Sequence, residues 1–145
     1  MEEITARMRR GIESDGADKT AAVAFEFARA LPEDCLVTLS GDLGAGKTTF
    51  VKGLAAGLGV KETVKSPSFN ICSVYDTADG RRLVHIDAYR LSAPEDFDNL
   101  LLDEIAPSPK VVCVEWPEAV AEALEPDYRL KLDILPNGSH FIKLL

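Results

Sequence analysis

The chain has 145 residues, 46% hydrophobic and 28% charged, the composition of one globular domain and not of a disordered segment. Sixteen basic against twenty-four acidic residues leave a net charge of −8, which argues against a domain that grips nucleic acid by its own surface and suits one that acts on it through a basic partner. No apolar run approaches the ~20 residues of a membrane-spanning helix, and Met1 to Arg10 carries charge without an apolar stretch, so no membrane span or signal peptide is expected.

Residues 1–145 read as a single domain whose first 14 residues are polar and expected to be loosely held. From Asp18 to Leu31, Val23, Ala24, Phe27, Ala28 and Leu31 recur at helical spacing, with Pro32 just beyond. Cys35 to Ser40 reads as a strand and 41–48 as a glycine-rich turn. Phe50, Val51, Leu54, Ala55 and Leu58 then give a helix one apolar face, with Gly59 placed to end it. Residues 60–68 lack periodicity and contain Pro67, which predicts a loop.

Phe69 to Tyr75 and Arg82 to Asp87 look like strands joined around Asp79-Gly80. Ser92-Ala93-Pro94-Glu95 has the form of a capping box with proline in the first turn, predicting a helix with Phe97, Leu101 and Ile105 on its apolar stripe. Val111 to Val114 is an unbroken apolar run, as in a strand covered on both faces. A helix is expected after Pro117, and Tyr128 to Leu135 with His140 to Leu145 form a closing hairpin around Asn137-Gly138. The alternation predicts a three-layer α/β domain with a mixed, mostly parallel central sheet and a C-terminal hairpin, and the glycine-rich turn at 41–48 makes it P-loop NTPase-like. Cys35, Cys72 and Cys113 lie in separate apolar stretches without a C-x-x-C pair, the pattern of buried, reduced thiols, so the reducing cytoplasm is the expected location.

The chemistry concentrates in Gly41-Asp42-Leu43-Gly44-Ala45-Gly46-Lys47-Thr48, which fits G-x-x-x-x-G-K-[ST] at every fixed position. Glycines let the main-chain N–H groups from Asp42 through Thr49 turn inward around phosphate oxygens, and the following helix adds its positive end. Lys47 can reach the β- and γ-phosphates, the Thr48 hydroxyl can ligate magnesium, and Thr49 suits an α-phosphate contact. Such a site also needs an acid at the end of a neighbouring buried strand, to hold magnesium directly or through water, or to orient the attacking water. Leu83-Val84-His85-Ile86 leads to Asp87, and Val111-Val112-Cys113-Val114 leads to Glu115. Both carboxylates are expected at solvent-facing strand ends, where substitution spares the fold; the residues alone leave open which touches metal and which touches water. Ser66 and Ser68 occupy the position of a nucleotide-sensing switch loop. Arg90 could stabilise phosphate charge, and Trp116 adjoins Glu115.

In order, GDLGAGKTTF (41–50), SPSF (66–69), HIDAYRL (85–91) and VEWPE (114–118) resemble the bacterial TsaE family, small ATPases of tRNA threonylcarbamoyladenosine biosynthesis. That family carries a GDLGAGKTT loop, an SPTF-like loop, an H-x-D-x-Y-R segment and an EWP segment; the departure is Ser68, where threonine is usual. The resemblance implies an ATPase that binds ATP and magnesium, is weak alone, and acts on a complex of TsaB-like and TsaD-like proteins that modifies an adenosine beside the tRNA anticodon. Contact with tRNA is then only indirect, through the complex. By the same analogy Glu115 looks like the magnesium-side residue and Asp87 like the one preparing water, although the two could be exchanged. Thr20 and Gly138 are then candidates to touch the adenosine.

Two other functions use the same loop. A small-molecule kinase needs an acceptor site and a closing lid with extra arginines, and no lid-like insertion is visible. A GTP-driven switch needs an N-K-x-D segment, and the nearest string, Leu130-Lys131-Leu132-Asp133, lacks the asparagine.

Overall fold

A computed structural model of the chain describes residues 3–42, 44–65 and 71–145. The candidate site residues Leu43, Ser66 and Ser68 lie outside the described residues. Within the described residues, helix α1 (Ile4–Arg10) and strand β1 (Ile12–Ser14) precede α2 (Ala17–Ala28), β2 (Cys35–Gly41) and α3 (Lys47–Gly57). Then come β3 (Cys72–Asp76), β4 (Arg82–Asp87), α4 (Pro94–Asp98), α5 (Leu102–Ile105), β5 (Lys110–Glu115), β6 (Tyr128–Ile134) and β7 (His140–Leu144), with 3-10 turns over Ala88–Arg90 and Pro117–Ala123. The strands form one sheet in the order β1-β7-β6-β2-β5-β4-β3. Its centre, β6-β2-β5-β4, is parallel, and the flanking pairs β6–β7, β7–β1 and β4–β3 are antiparallel. The α/β class and the mixed, mostly parallel sheet agree with the sequence pattern.

Alternation along the strands feeds two cores, one on each face. Val37, Leu39, Leu83, Val111 and Cys113 join Phe27 of α2 and Phe50 and Leu54 of α3 in one core. Val84, Ile86, Val112 and Val114 join Leu91 and Val120 in the other. This sheet between two layers is the expected three-layer arrangement. Helices α2 and α3 approach closely because Gly53 has no side chain: a Cβ there would lie 2.3 Å from the Ala21 carbonyl oxygen. Cys35 and Cys113 are buried and Cys72 is half-buried, all free thiols; burial pushes the Cys35 thiol up to about 12 and Cys113 well above its ordinary value. Among the described residues no helix is long and apolar enough to cross a membrane.

Four sequence expectations need correction. The N-terminal segment is not loosely held from residue 3 onward: Ile4 and Met8, one helical turn apart, are both buried, and β1 pairs with β7 at the sheet edge. The helix expected through Phe97, Leu101 and Ile105 is broken. Phe97, Leu100 and Leu102 pack on the second core, and residues two apart cannot share one helix face. A left-handed residue at Leu101 (φ 54°) swings the chain back, leaving Leu101 and Ile105 exposed. The cap of α4 sits one residue later than Ser92/Glu95, because the Asp96 carboxylate accepts from the backbone N–H groups of both Ser92 (2.9 Å) and Ala93 (3.1 Å). Those two bonds hold Asp96 below the usual carboxylate range. After Pro117 the chain makes 3-10 turns in place of an α-helix.

Candidate functional site

The parallel strands β2, β4 and β5 end together, and the segments that leave their ends build one cleft. Register pairs Leu39 with Glu115 and Asp87 with Glu115, so the two acids stand side by side beside the end of β2. After β2 the chain turns through the glycine loop into α3. Gly46 caps α3 in a left-handed conformation (φ 94°), and a Cβ there would lie 3.2 Å from the His140 Nδ1 atom. Glycine therefore suits both the turn and the close approach of β7. The resulting cleft, about 370 Å³, is lined by Gly44, Gly46, Lys47, Thr48, Thr49, Asp87, Glu115 and Trp116.

Lys47 is 5% exposed. Its Nζ donates to the carbonyls of Gly41 (3.0 Å) and Asp42 (2.6 Å) and stands 4.0 Å from the centre of the Trp116 ring. Burial lowers its pKa from the ordinary lysine value, opposed by the negative charges of Glu115, Glu118, Asp42 and Asp87. An ammonium held by two carbonyls and a ring face, on a flexible stem, is a cation that a stronger anionic ligand can draw off. The Asp42 carboxylate points away from this work: it accepts from the Ile134 N–H (3.2 Å) and ties the loop to β6. Ala45, within the loop, is fully buried.

The Thr48 hydroxyl lies 3.4 Å from both carboxylate oxygens of Glu115. Glu115 is 4% exposed, which corrects the expectation of a solvent-facing acid. Its Oε2 lies 2.5 Å from His85 Nε2, within hydrogen-bond distance, and His85 is itself fully buried. Asp87 is half-buried, and its Oδ1 accepts from the Tyr89 N–H (3.0 Å), capping the 3-10 turn after β4. The exposed Tyr89 ring meets Trp116 edge-on at 5.3 Å.

The structure thus brings together Lys47, Thr48, Thr49, Asp87, Glu115 and Trp116. It does not bring Thr20, Gly138 or Arg90 into the lining of the cleft. Thr20 is fully buried under Gly46, its hydroxyl bonded to that of Ser14 (2.7 Å). Gly138 lies exposed in the turn between β6 and β7, and Arg90 is exposed at the end of its 3-10 turn. Sequence reasoning placed His85 in the H-x-D-x-Y-R segment but gave it no role in the site, and gave none to His140. The period-2 spacing of Leu83, His85 and Asp87 was the available signal for the first, since it puts all three on one face of β4.

Similarity to known proteins runs over the same framework. The family model for Threonylcarbamoyl adenosine biosynthesis protein TsaE matches residues 14–141. The tRNA threonylcarbamoyladenosine biosynthesis protein TsaE of Treponema pallidum is 42% identical over 132 residues, spanning 89% of this chain and 95% of that protein. The protein of the same name from Streptomyces coelicolor is 48% identical over 110 residues, 74% of each chain. A crystal structure of Bacillus subtilis YdiB superposes with a TM-score of 0.73 at 34% identity, covering 92% of this chain and 82% of that one. The family match begins in β1, ends in β7 and takes in the glycine loop, both strand-end acids and Trp116, and so the chain belongs to the TsaE family of tRNA threonylcarbamoyladenosine biosynthesis.

Proposed function

We propose that this chain is a magnesium-dependent ATPase that acts on a complex of TsaB-like and TsaD-like proteins in the cytoplasm. It supports threonylcarbamoyl modification of the tRNA adenosine next to the anticodon and meets tRNA only through that complex. The observation that carries the reading is the position of the Thr48 hydroxyl, 3.4 Å from both oxygens of Glu115, at the foot of the glycine loop.

That donor set fits magnesium, which takes oxygen ligands and is commonly held by one or two carboxylates together with substrate phosphates. Among the described residues no group of three or more His, Cys, Asp or Glu could hold a metal, so nucleotide phosphates complete the ligand set in this reading. When bound, magnesium neutralises charge on the β- and γ-phosphate oxygens. Thr48 and Glu115 hold it, Glu115 directly or through water. Lys47 leaves the Gly41 and Asp42 carbonyls for the β- and γ-phosphates. The backbone N–H groups of 42–49, with Thr49 at the α-phosphate, cradle the chain of phosphates. Asp87 orients the attacking water and accepts its proton. Trp116 shields the cleft from solvent beside Lys47, and Ser66 and Ser68 sense the nucleotide. Arg90, Thr20 and Gly138 lie outside the lining of the cleft, and no step of this reading passes through them.

Phosphate release from ATP and from GTP, with magnesium or with EDTA, and with or without a panel of hydroxyl acceptors, tests this. Slow, magnesium-dependent release from ATP alone is expected. Phosphoryl transfer to an acceptor, or equal use of GTP, would overturn it.

A further inference from the structure

The carboxylate of Glu115 is held from below by a residue that the proposed cycle does not use. His85 sits on β4 across from Cys113 of β5, two positions before Glu115 on the same face. Its ring is fully buried, and Nε2 meets Glu115 Oε2 at 2.5 Å, while the Glu115 side chain is 5% exposed. The other ring nitrogen, Nδ1, is buried with no hydrogen-bond partner among the described residues. A bare lone pair at Nδ1 costs less than an orphaned N–H would, so the hydrogen belongs on Nε2, pointing at the carboxylate.

With Oε2 fixed by His85, the carboxylate has one orientation, and both of its oxygens lie within 3.4 Å of Thr48 Oγ1. Thr48 then donates its hydroxyl hydrogen to Glu115 and turns its lone pairs toward the cleft. We propose that His85 is a positioning residue: through Glu115 it sets the direction of the Thr48 oxygen and thereby the affinity of the nucleotide-loaded site for a divalent cation. The proposal rests on the reading of Thr48 and Glu115 as the cation side of the site. Residues that orient metal ligands by hydrogen bonds typically change metal affinity 10–100-fold when removed.

The test compares wild type with His85→Gln, His85→Asn and His85→Leu. The glutamine amide reaches as far as Nε2, the asparagine amide falls one carbon short, and leucine removes the donor. Two constants are measured by titration of the purified chain: Mn²⁺ affinity in the presence of a non-hydrolysable ATP analogue, followed by electron paramagnetic resonance, and affinity for the same analogue in EDTA. The expected result is Mn²⁺ binding at least about tenfold weaker in His85→Asn and His85→Leu, within about threefold of wild type in His85→Gln, with analogue affinity in EDTA unchanged. If leucine at this buried site prevents folding, the Gln/Asn pair decides alone. Equal Mn²⁺ affinity in wild type, Gln and Asn variants overturns the role of His85 only. A wild type that binds the analogue but no Mn²⁺ with it overturns the underlying cation site, and this proposal with it.

Discussion

The Lys47 ammonium stands 4.0 Å from the centre of the Trp116 ring, and Trp116 meets it from a left-handed backbone, φ 56° and ψ 57°. For a bulky residue that conformation costs of order 1–3 kcal/mol and persists only where the surroundings impose it. Here the Trp116 N–H donates to the Leu39 carbonyl (3.1 Å) and the ring packs on Tyr89. Backbone strain held between the ends of β2 and β5 thus serves to place an aromatic face over the loop lysine.

Because Trp116 is the chain's single tryptophan, its emission reports on Lys47. If phosphate draws the ammonium off the ring, emission changes as ATP and magnesium are added and saturates with binding. Lys47→Ala is expected to show neither the change nor productive triphosphate binding. Calorimetric ATP binding by wild type without any change in emission would contradict the movement.

Glu115 and Asp87 should separate in stability although both are proposed to serve turnover. Glu115→Ala strands the buried His85 donor, at a cost of about 1–3 kcal/mol. Asp87→Ala loses a half-exposed cap, costing ~1 kcal/mol or less. Urea unfolding of the two variants checks this, and hydrolysis is expected to be lost in both. A Glu115→Ala protein no less stable than Asp87→Ala would refute the buried pair.

Helix propensity and packing oppose each other at Gly53. Alanine is intrinsically better in a helix by ~1 kcal/mol, but its Cβ would sit 2.3 Å from the Ala21 carbonyl oxygen. Overpacking of this kind costs roughly 1–3 kcal/mol, and backbone oxygen has little room to yield. Gly53→Ala is therefore expected to lower the urea midpoint. A raised midpoint would show that α2 and α3 are farther apart than described.

The loop between β3 and β4 carries a pH dependence. A hydrogen bond from the Thr77 hydroxyl (2.6 Å), with the Arg81 guanidinium, lowers the Asp79 carboxyl to about 2 from 3.8. A carboxylate lowered in this way adds stability that is fully present above 3.8 and is lost as pH falls through about 2. Its side chain is 58% exposed, so solvent reduces the effect. Between pH 6 and pH 3 wild type should lose slightly more stability than Asp79→Asn, read as the difference in urea midpoints at each pH. Parallel losses in the two proteins would contradict the assignment.

Local order carried most of what the sequence revealed. The glycine loop, the strand before it, the helix after it and the strand-end positions of Asp87 and Glu115 depend on contiguous residues, and the structure puts all of them around one cleft. The His85–Glu115 pair was not legible because it needs the register of β4 against β5, and the partners are 30 residues apart. The burial of Glu115 was hidden for the same reason: a strand-end acid reads as exposed until the residue beneath it is known. The N-terminal segment failed differently. Its buried hydrophobic residues, Ile4 and Met8, are a single apolar pair at helical spacing, and β1 gains its meaning only from β7. The spacing of Phe97, Leu101 and Ile105 suggested one helical stripe, whereas core packing required Leu100 and Leu102 to turn the same way.

The most direct measurement is steady-state phosphate release from ATP by the purified chain, alone and then with a TsaB-like and TsaD-like pair from the same organism, with Lys47→Ala alongside. Slow turnover alone, a clear rise with the pair and no activity in the variant are predicted. Equal wild-type turnover with and without the pair, or undiminished turnover in Lys47→Ala, would contradict the account.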